Sequence, residues 1–138
     1  MVQRLSTQPF GVQAGGGLSR ATKAPAVFAL PFSFDPTSST QVLLGTLPPN
    51  SRVFDVVGFG GTTGGTNPTV DIGTLADDDG YVNELQGDSV KSAVAAGKTG
   101  ALLNTLQSAA TAVYGKVGAS AGTGGTFTGK VLFTLEEA

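Results

Sequence analysis

The chain has 138 residues and a formal net charge of −2, and it contains neither cysteine nor histidine. A chain of this length fits one domain, and the missing residue types exclude disulfides, thiolate or imidazole metal ligands, and Ser-His-Asp or Cys-His catalysis. The acidic balance argues against nucleic-acid binding, which depends on dense Lys and Arg, and no apolar run approaches the roughly 18 residues of a transmembrane helix.

The first 25 residues differ from the rest in charge and composition. Residues 1–24 carry Arg4, Arg20 and Lys23 without an acid, for a charge of +3, whereas residues 25–138 carry a charge of −5. Apolar residues are scattered here, so burial cannot offset the entropy of ordering the segment. We predict an extended, glycine-rich arm over 1–25 that docks on a partner through these three cations and Phe10, and the alternative is a loose terminus.

From residue 26 onward the pattern predicts strands. In residues 26–34 every second residue from Phe28 to Phe34 is apolar, which is typical of a strand with one buried face. Pro31 has no amide hydrogen, so this strand belongs at a sheet edge or a bulge. A second predicted strand, 40–47, lies between two turns that contain proline.

The third predicted strand, 52–59, is apolar on nearly both faces. Such a pattern is typical of a central strand in a sandwich or of a strand at a subunit contact. Because contacts between copies bury apolar residues that a monomer would expose, we predict that Phe28, Phe32, Phe54 and Val56 contribute to an oligomer contact.

The remaining strands complete an all-β pattern. Residues 69–74 place Val70 and Ile72 inward with Asp71 outward, and 81–85 is a short extended piece. Residues 86–110 allow at most one short helix, because two glycines discourage a longer one.

The C-terminal residues predict a hairpin in which 111–117 pairs with 126–135 across a glycine-rich loop. Seven or eight short strands without intervening helical blocks predict an antiparallel β-sandwich or jelly roll over 26–138.

The acidic turn Asp77-Asp78-Asp79-Gly80 is the strongest candidate for a cation site, because Ca²⁺ takes several carboxylate oxygens. Its spacing is not that of an EF-hand, and Asp and Gly are also the usual residues of solvated turns. We favour the turn and predict no metal or cofactor. The glycine-rich loops 60–65 and 122–125 lack the helix and the Lys-Ser/Thr ending of a phosphate-binding loop.

A pair of carboxylates for glycoside cleavage could come from Asp55, Asp71, Glu84 or Asp88. Sequence spacing does not bring any two of them together, and the chain has no Trp and only two Tyr to form a sugar platform. We therefore expect that the protein is not an enzyme.

Four short patterns resemble small structural proteins of tailed bacteriophages, particularly the decoration or cement proteins of the head. They are TVDIGT at 69–74, DDDGYV at 77–82, TAVYGKV at 111–117 and GKVLFT at 129–134. The resemblance covers roughly residues 26–138. It implies a β-sandwich that clusters, usually as trimers, on the outside of an icosahedral shell, and an N-terminal arm that becomes ordered against the shell.

The resemblance leads to a functional hypothesis. It implies a structural protein of the virion, made in the cytoplasm of a host bacterium, that binds the major capsid protein and bridges neighbouring capsid subunits. The arm residues Arg4, Phe10, Arg20 and Lys23 are then the candidate capsid contacts, and a homo-oligomer, in the family a trimer, multiplies them. The alternative is a receptor- or glycan-binding module of a head fibre or tail appendage, which the low aromatic content disfavours. No nucleic acid or membrane is required.

Overall fold

The computed structural model describes residues 26–35, 37, 39–60, 68–86, 91–118 and 126–136. In this part the chain forms two antiparallel sheets with a shared apolar core, which confirms the predicted all-β sandwich. The predicted arm with Arg4, Phe10, Arg20 and Lys23 lies outside the described residues. The elements are β1 Val27–Phe34, β2 Val42–Leu47, β3 Ser51–Gly60, β4 Thr69–Gly73, β5 Val82–Gln86, β6 Lys91–Ser92, α1 Ala93–Ala96, β7 Leu106–Gln107, β8 Thr111–Val117 and β9 Phe127–Leu135.

The strand order is nested. Sheet A has the order β1-β9-β3-β6, with β7 also paired to β3, and sheet B has the order β2-β8-β4-β5. Strand β1 pairs with β9, β2 with β8, β3 with β6 and β4 with β5. The chain is therefore arranged as one long doubled ribbon, folded so that successive pairs fall in alternate sheets.

The predicted hairpin of 111–117 with 126–135 is wrong, although the bounds of both strands are close to those observed. Strand β8 lies between β2 and β4 in sheet B, whereas β9 lies between β1 and β3 in sheet A. These two consecutive strands therefore lie in different sheets. A connection of the length of 118–126 does not impose a tight turn, so consecutive strands need not be partners.

The core between the sheets is aliphatic with an aromatic cluster at one end. Phe32 and Phe34 of β1 both meet Phe127 of β9, with ring centroids 5.9 Å apart in each case. The predicted inward residues Val70 and Ile72 of β4 are fully buried. The edge position of β1 in the described sheet explains how Pro31 is tolerated within a strand.

A β-bulge in β3 decides which of its residues enter the core. Val53 pairs with Phe133 and Asp55 with Leu132, so Phe54 is an extra residue. Val53 and Val56 are both fully buried, although strict alternation would put them on opposite faces. The predicted strand is apolar on both faces because the bulge shifts the alternation of inward and outward residues partway along it.

The described part of the chain contains one helix, α1, of four residues, which agrees with the prediction of at most one short helix in 86–110. Ser92 caps it by accepting a hydrogen bond from the Ala95 amide, and Gly97 ends it in the left-handed conformation with φ of 69°. Among the described residues no helix combines the length and apolar character needed to cross a membrane.

Candidate functional site

The acidic turn is a compact loop held between the end of β4 and the segment after α1. The Gly80 amide donates to the Asp77 carbonyl across 3.1 Å. A Cβ atom at Gly73 would lie 2.0 Å from that same carbonyl oxygen, and one at Gly100 would lie 1.9 Å from the carbonyl oxygen of Asp79. Both flanking positions require glycine because the backbone of the turn approaches too closely for a side chain.

The carboxylates of this turn share one nearby cation. Lys116 of β8 contacts Asp78 with its Nζ 2.7 Å from Oδ2, and this hydrogen bond raises the pKa of Lys116. Desolvation raises the pKa of Asp77, and the hydrogen-bonded carboxyl of Asp79 raises it further. The turn therefore gives the outer surface of sheet B a concentrated negative charge.

Asp71 has a structural use for its carboxylate. Its Oδ1 accepts a hydrogen bond of 2.8 Å from the Glu84 amide. This bond lies at a β-bulge where β5 has one more residue than the paired stretch of β4. Glu84 has a left-handed φ of 59° there, so its amide turns away from the regular ladder. Burial raises the pKa of Asp71, while the bond from Glu84 and the charge of Lys116 oppose that rise.

Among the described carboxylates considered for glycoside cleavage, Asp71 and Glu84 lie on the paired strands β4 and β5 of sheet B, whereas Asp55 lies on β3 of sheet A. The Asp55 carboxylate accepts from the Ser92 hydroxyl across 2.6 Å and from the Val94 amide across 3.1 Å, so it anchors the start of α1 to β3. Asp71 lies in sheet B, and Asp88 lies outside the described residues. Within the described ranges no cluster of three or more His, Cys, Asp or Glu residues is arranged to hold a metal ion.

An open cavity of about 540 Å³ lies between β5 and the segment formed by β6 and α1. Its walls combine apolar side chains, such as Leu85, with both signs of charge, from Glu84, Lys91 and Lys98. The cavity is open to solvent, and its mixed lining specifies no ligand class.

The outer face of sheet A is a second candidate surface, and it extends over several strands. Val131 and Phe133 of β9 point into the core, so Leu132 between them points outward. Directly opposed residues of antiparallel strands share a face, which extends this surface over β1, β3 and β7. We define the outer face of sheet A by Val27, Ala29 and Pro31 of β1, Lys130, Leu132 and Thr134 of β9, Arg52, Phe54, Asp55 and Val57 of β3, and Leu106 of β7.

The structure separates the residues predicted to form an oligomer contact. Phe32 is 6% exposed and Val56 is fully buried, so packing inside the sandwich occupies both. Phe28 is 41% exposed and stacks on Phe133 with centroids 5.7 Å apart, and Phe54 is partly exposed on the outer face of sheet A. The contact prediction is therefore withdrawn for the two core residues. It stays a prediction for Phe54, on the outer face of sheet A, and for Phe28, which is opposite Phe133 on the other face of the sheet.

The sequence reasoning missed several residues of this surface. Val27 is 63% exposed and Leu106 is 40% exposed. Arg52 forms an ion pair with Glu136 and also donates to the Asn104 carbonyl, which ties β3 to the end of β9 and to the turn before β7. The apolar residues could have been found from their positions opposite the core residues of β9, but the ion pair has no local signal.

No protein-family model matches the chain, and no curated protein matches it in sequence. Among solved structures, a chain of the Cyanophage Pam1 capsid asymmetric unit is similar, with a TM-score of 0.60 and 21% sequence identity. The match covers 90% of this chain and 95% of that chain, so the two have nearly the same length. At this level of identity the likeness supports the fold alone.

Proposed function

We propose that this protein is a structural component of a bacteriophage virion, bound to the outer surface of the capsid, where it bridges neighbouring capsid subunits. The observation that carries the proposal is the near-complete mutual coverage with a chain of the Cyanophage Pam1 capsid asymmetric unit. A match of 95% of that chain leaves little of it outside the shared fold. The partner in this proposal is the major capsid protein, and no cofactor or reaction is involved.

The topology supports this proposal. We infer from the nested strand pairs that the sandwich is a jelly roll, in which a doubled ribbon is wound into two sheets. Jelly rolls are common in viral capsid proteins. Because the same fold also serves lectins and other binding proteins, it supports the proposal only together with the match to a capsid chain.

The charge distribution supplies a mechanism. The body of the chain carries a charge of −5 and the first 24 residues carry +3, so the arm is attracted to acidic surfaces from which the body is repelled. An extended arm of 25 residues spans up to about 80 Å, enough to reach beyond its own domain. In a trimer, three weak arm contacts act together and slow dissociation through their high effective concentration.

The test uses capsids that lack this protein, prepared from the phage that encodes it. Purified protein is incubated with these shells at a series of salt concentrations, and bound protein is measured by co-sedimentation. We expect binding that weakens as salt rises, because the proposed arm contacts are electrostatic. Shells that recover no protein at any salt concentration would refute the proposal.

The role of the arm is tested with the triple variant Arg4→Ala, Arg20→Ala, Lys23→Ala. We expect weaker binding and a shallower salt dependence. The matched control is Lys91→Ala, Lys98→Ala, Lys116→Ala, which removes the same charge from residues of the sandwich that do not belong to the outer face of sheet A.

If both triple variants bind equally well, the arm is not the contact. Gold-labelled antibody against this chain, viewed on whole virions, then distinguishes the head surface from a fibre or tail appendage.

A further inference from the structure

We propose that the outer face of sheet A is the surface through which copies of this protein associate with each other. This inference deepens the proposed function, since it rests on the same assembly and names the partner of one surface as a second copy of this chain. Three properties of the face support it: its apolar character, its internally compensated charges and its size.

The face is rich in apolar side chains that the described part of the sandwich leaves uncovered. Val27 and Leu106 are 63% and 40% exposed, and Leu132, Phe54 and Val57 are partly exposed. They lie in adjacent rows, because Ala29 is opposite Leu132 and Leu132 is opposite the bulge in β3. Contiguous apolar surface of this kind marks an interaction site more often than scattered exposed residues do.

Charges on the face are compensated within the chain. Arg52 is paired with Glu136, and the Asp55 carboxylate accepts hydrogen bonds from residues at the start of α1. Lys130, the third charged residue among those that define the face, also takes part in an interaction. Two copies can therefore approach here without burying an excess of like charge.

The outer surface of sheet B carries a concentration of negative charge. Asp71, Asp78 and Asp79 all act on Lys116, and Asp77 shares a hydrogen bond with Asp79. Two copies that met through this surface would bring their acidic turns together. Since the body carries a charge of −5, like-charge repulsion directs self-association to sheet A.

The size of the face suits a specific contact. Three long strands, β1, β9 and β3, lie side by side here and have 8, 9 and 10 residues. At about 4.8 Å between strands and about 3.3 Å per residue, they give a projected area of about 400 Å², to which the two-residue strands β6 and β7 add little. Side chains that stand out from the sheet increase the accessible area above this projection. The result approaches the roughly 600–800 Å² per partner that specific interfaces bury. Around a threefold axis, three such faces would turn toward the axis and each would meet its two neighbours.

The test is the solution mass of the full chain and of three variants, measured by light scattering after size exclusion and by sedimentation over a concentration series. We expect the unmodified protein to have a multiple of 13.8 kDa. We expect Leu132→Glu and Val27→Glu to lower the mass to that of the monomer, because each places a charge in an apolar contact. Leu43→Glu is the matched control, since Leu43 is 57% exposed on β2 of sheet B, and we expect it to leave the mass unchanged.

Circular dichroism and thermal unfolding show whether each variant is folded, and Val27→Glu serves if Leu132→Glu does not fold. An unmodified protein that is monomeric at all concentrations would overturn the inference. So would folded variants of sheet A that keep the mass of the unmodified protein, or dissociation by Leu43→Glu alone.

The proposed function can fail separately. A monomer that still binds capsids rejects self-association but keeps capsid binding, and loss of that binding in Leu132→Glu would assign the face to the capsid. An oligomer that dissociates as expected but binds no capsid supports the face and rejects the proposed function.

Discussion

Replacing Asp71 separates the hydrogen bond that its carboxylate makes from the charge that it carries. In Asp71→Ala the Glu84 amide, now bonded to Oδ1 across 2.8 Å, loses its partner at a partly buried bulge. Leaving such a donor unsatisfied costs about 1–3 kcal/mol. For a domain of 138 residues, unfolding entropy scales to a change in Tm of about 3–4 °C per kcal/mol, so we expect Tm to fall by about 3–10 °C.

Asp71→Asn keeps an oxygen acceptor and removes the charge. Burial raises the pKa of Asp71 in the folded state, so the folded protein holds this proton more tightly than the unfolded chain does. Protonated Asp71 therefore contributes stability to the folded protein at low pH. This contribution is lost as pH rises, first through the pKa of Asp71 in the unfolded chain and then through its raised pKa in the folded protein. We expect Asp71→Asn to escape this loss, so its stability relative to the unmodified protein is greater at pH 7 than at pH 3.

The assay for both Asp71 variants is urea unfolding at pH 3, 5 and 7, together with thermal melts. Equal losses for Asp71→Asn and Asp71→Ala would show that the charge, and not the hydrogen bond to the bulge, is what matters. An Asp71→Ala variant with unchanged Tm would refute the structural role of the bond.

Three other substitutions test the packing by the same unfolding measurements. Gly100→Ala should lower the free energy of unfolding by about 3 kcal/mol or more, because a Cβ atom would overlap a backbone carbonyl. The control is Gly97→Ala, whose Cβ atom meets no atom within 4 Å and which should cost only the roughly 1 kcal/mol of a left-handed alanine. Similar losses in the two variants would contradict the close approach at Gly100. Tyr81→Phe should leave stability unchanged or raise it by up to about 1 kcal/mol, because the buried hydroxyl has no hydrogen-bond partner in the described part of the chain; a clear loss would show that the hydroxyl is bonded. Val56→Ala should cost about 2–3 kcal/mol as a core truncation and Phe54→Ala clearly less, whereas the reverse order would disprove the bulge.

The sequence predicted the bounds of a strand well where the same face of that strand is buried along its whole length. Strand β8, Thr111–Val117, has the bounds that its alternating pattern predicts. Strand β9 differs from its prediction by a single residue at its start. The pattern within a strand reports which face is buried, but it carries no information on which strand lies alongside. The hairpin prediction failed for that reason, since both strands have the same alternation in either arrangement.

The candidate surfaces were less predictable because they depend on register. A single extra residue at Phe54 moved Val56 from a predicted contact into the core. Phe32 was predicted to contribute to the same contact because phenylalanine was frequent in β1, but its packing against Phe34 and Phe127 buries it. The acidic turn was predicted as a turn, while its close fit against Gly73 and Gly100 joins segments that are far apart in sequence.

The position of β9 has a consequence for how the protein is made. This last described strand is inserted between β1 and β3, so sheet A cannot close until residues 127–135 have left the ribosome. Strands β1 and β3 have no central partner until β9 has been synthesised, and pairing between residues far apart in sequence is slow to form. A chain that stops short of β9 would lack the middle of the outer face of sheet A. If copies associate through this face as we propose, synthesis to the end of β9 is a condition for that association.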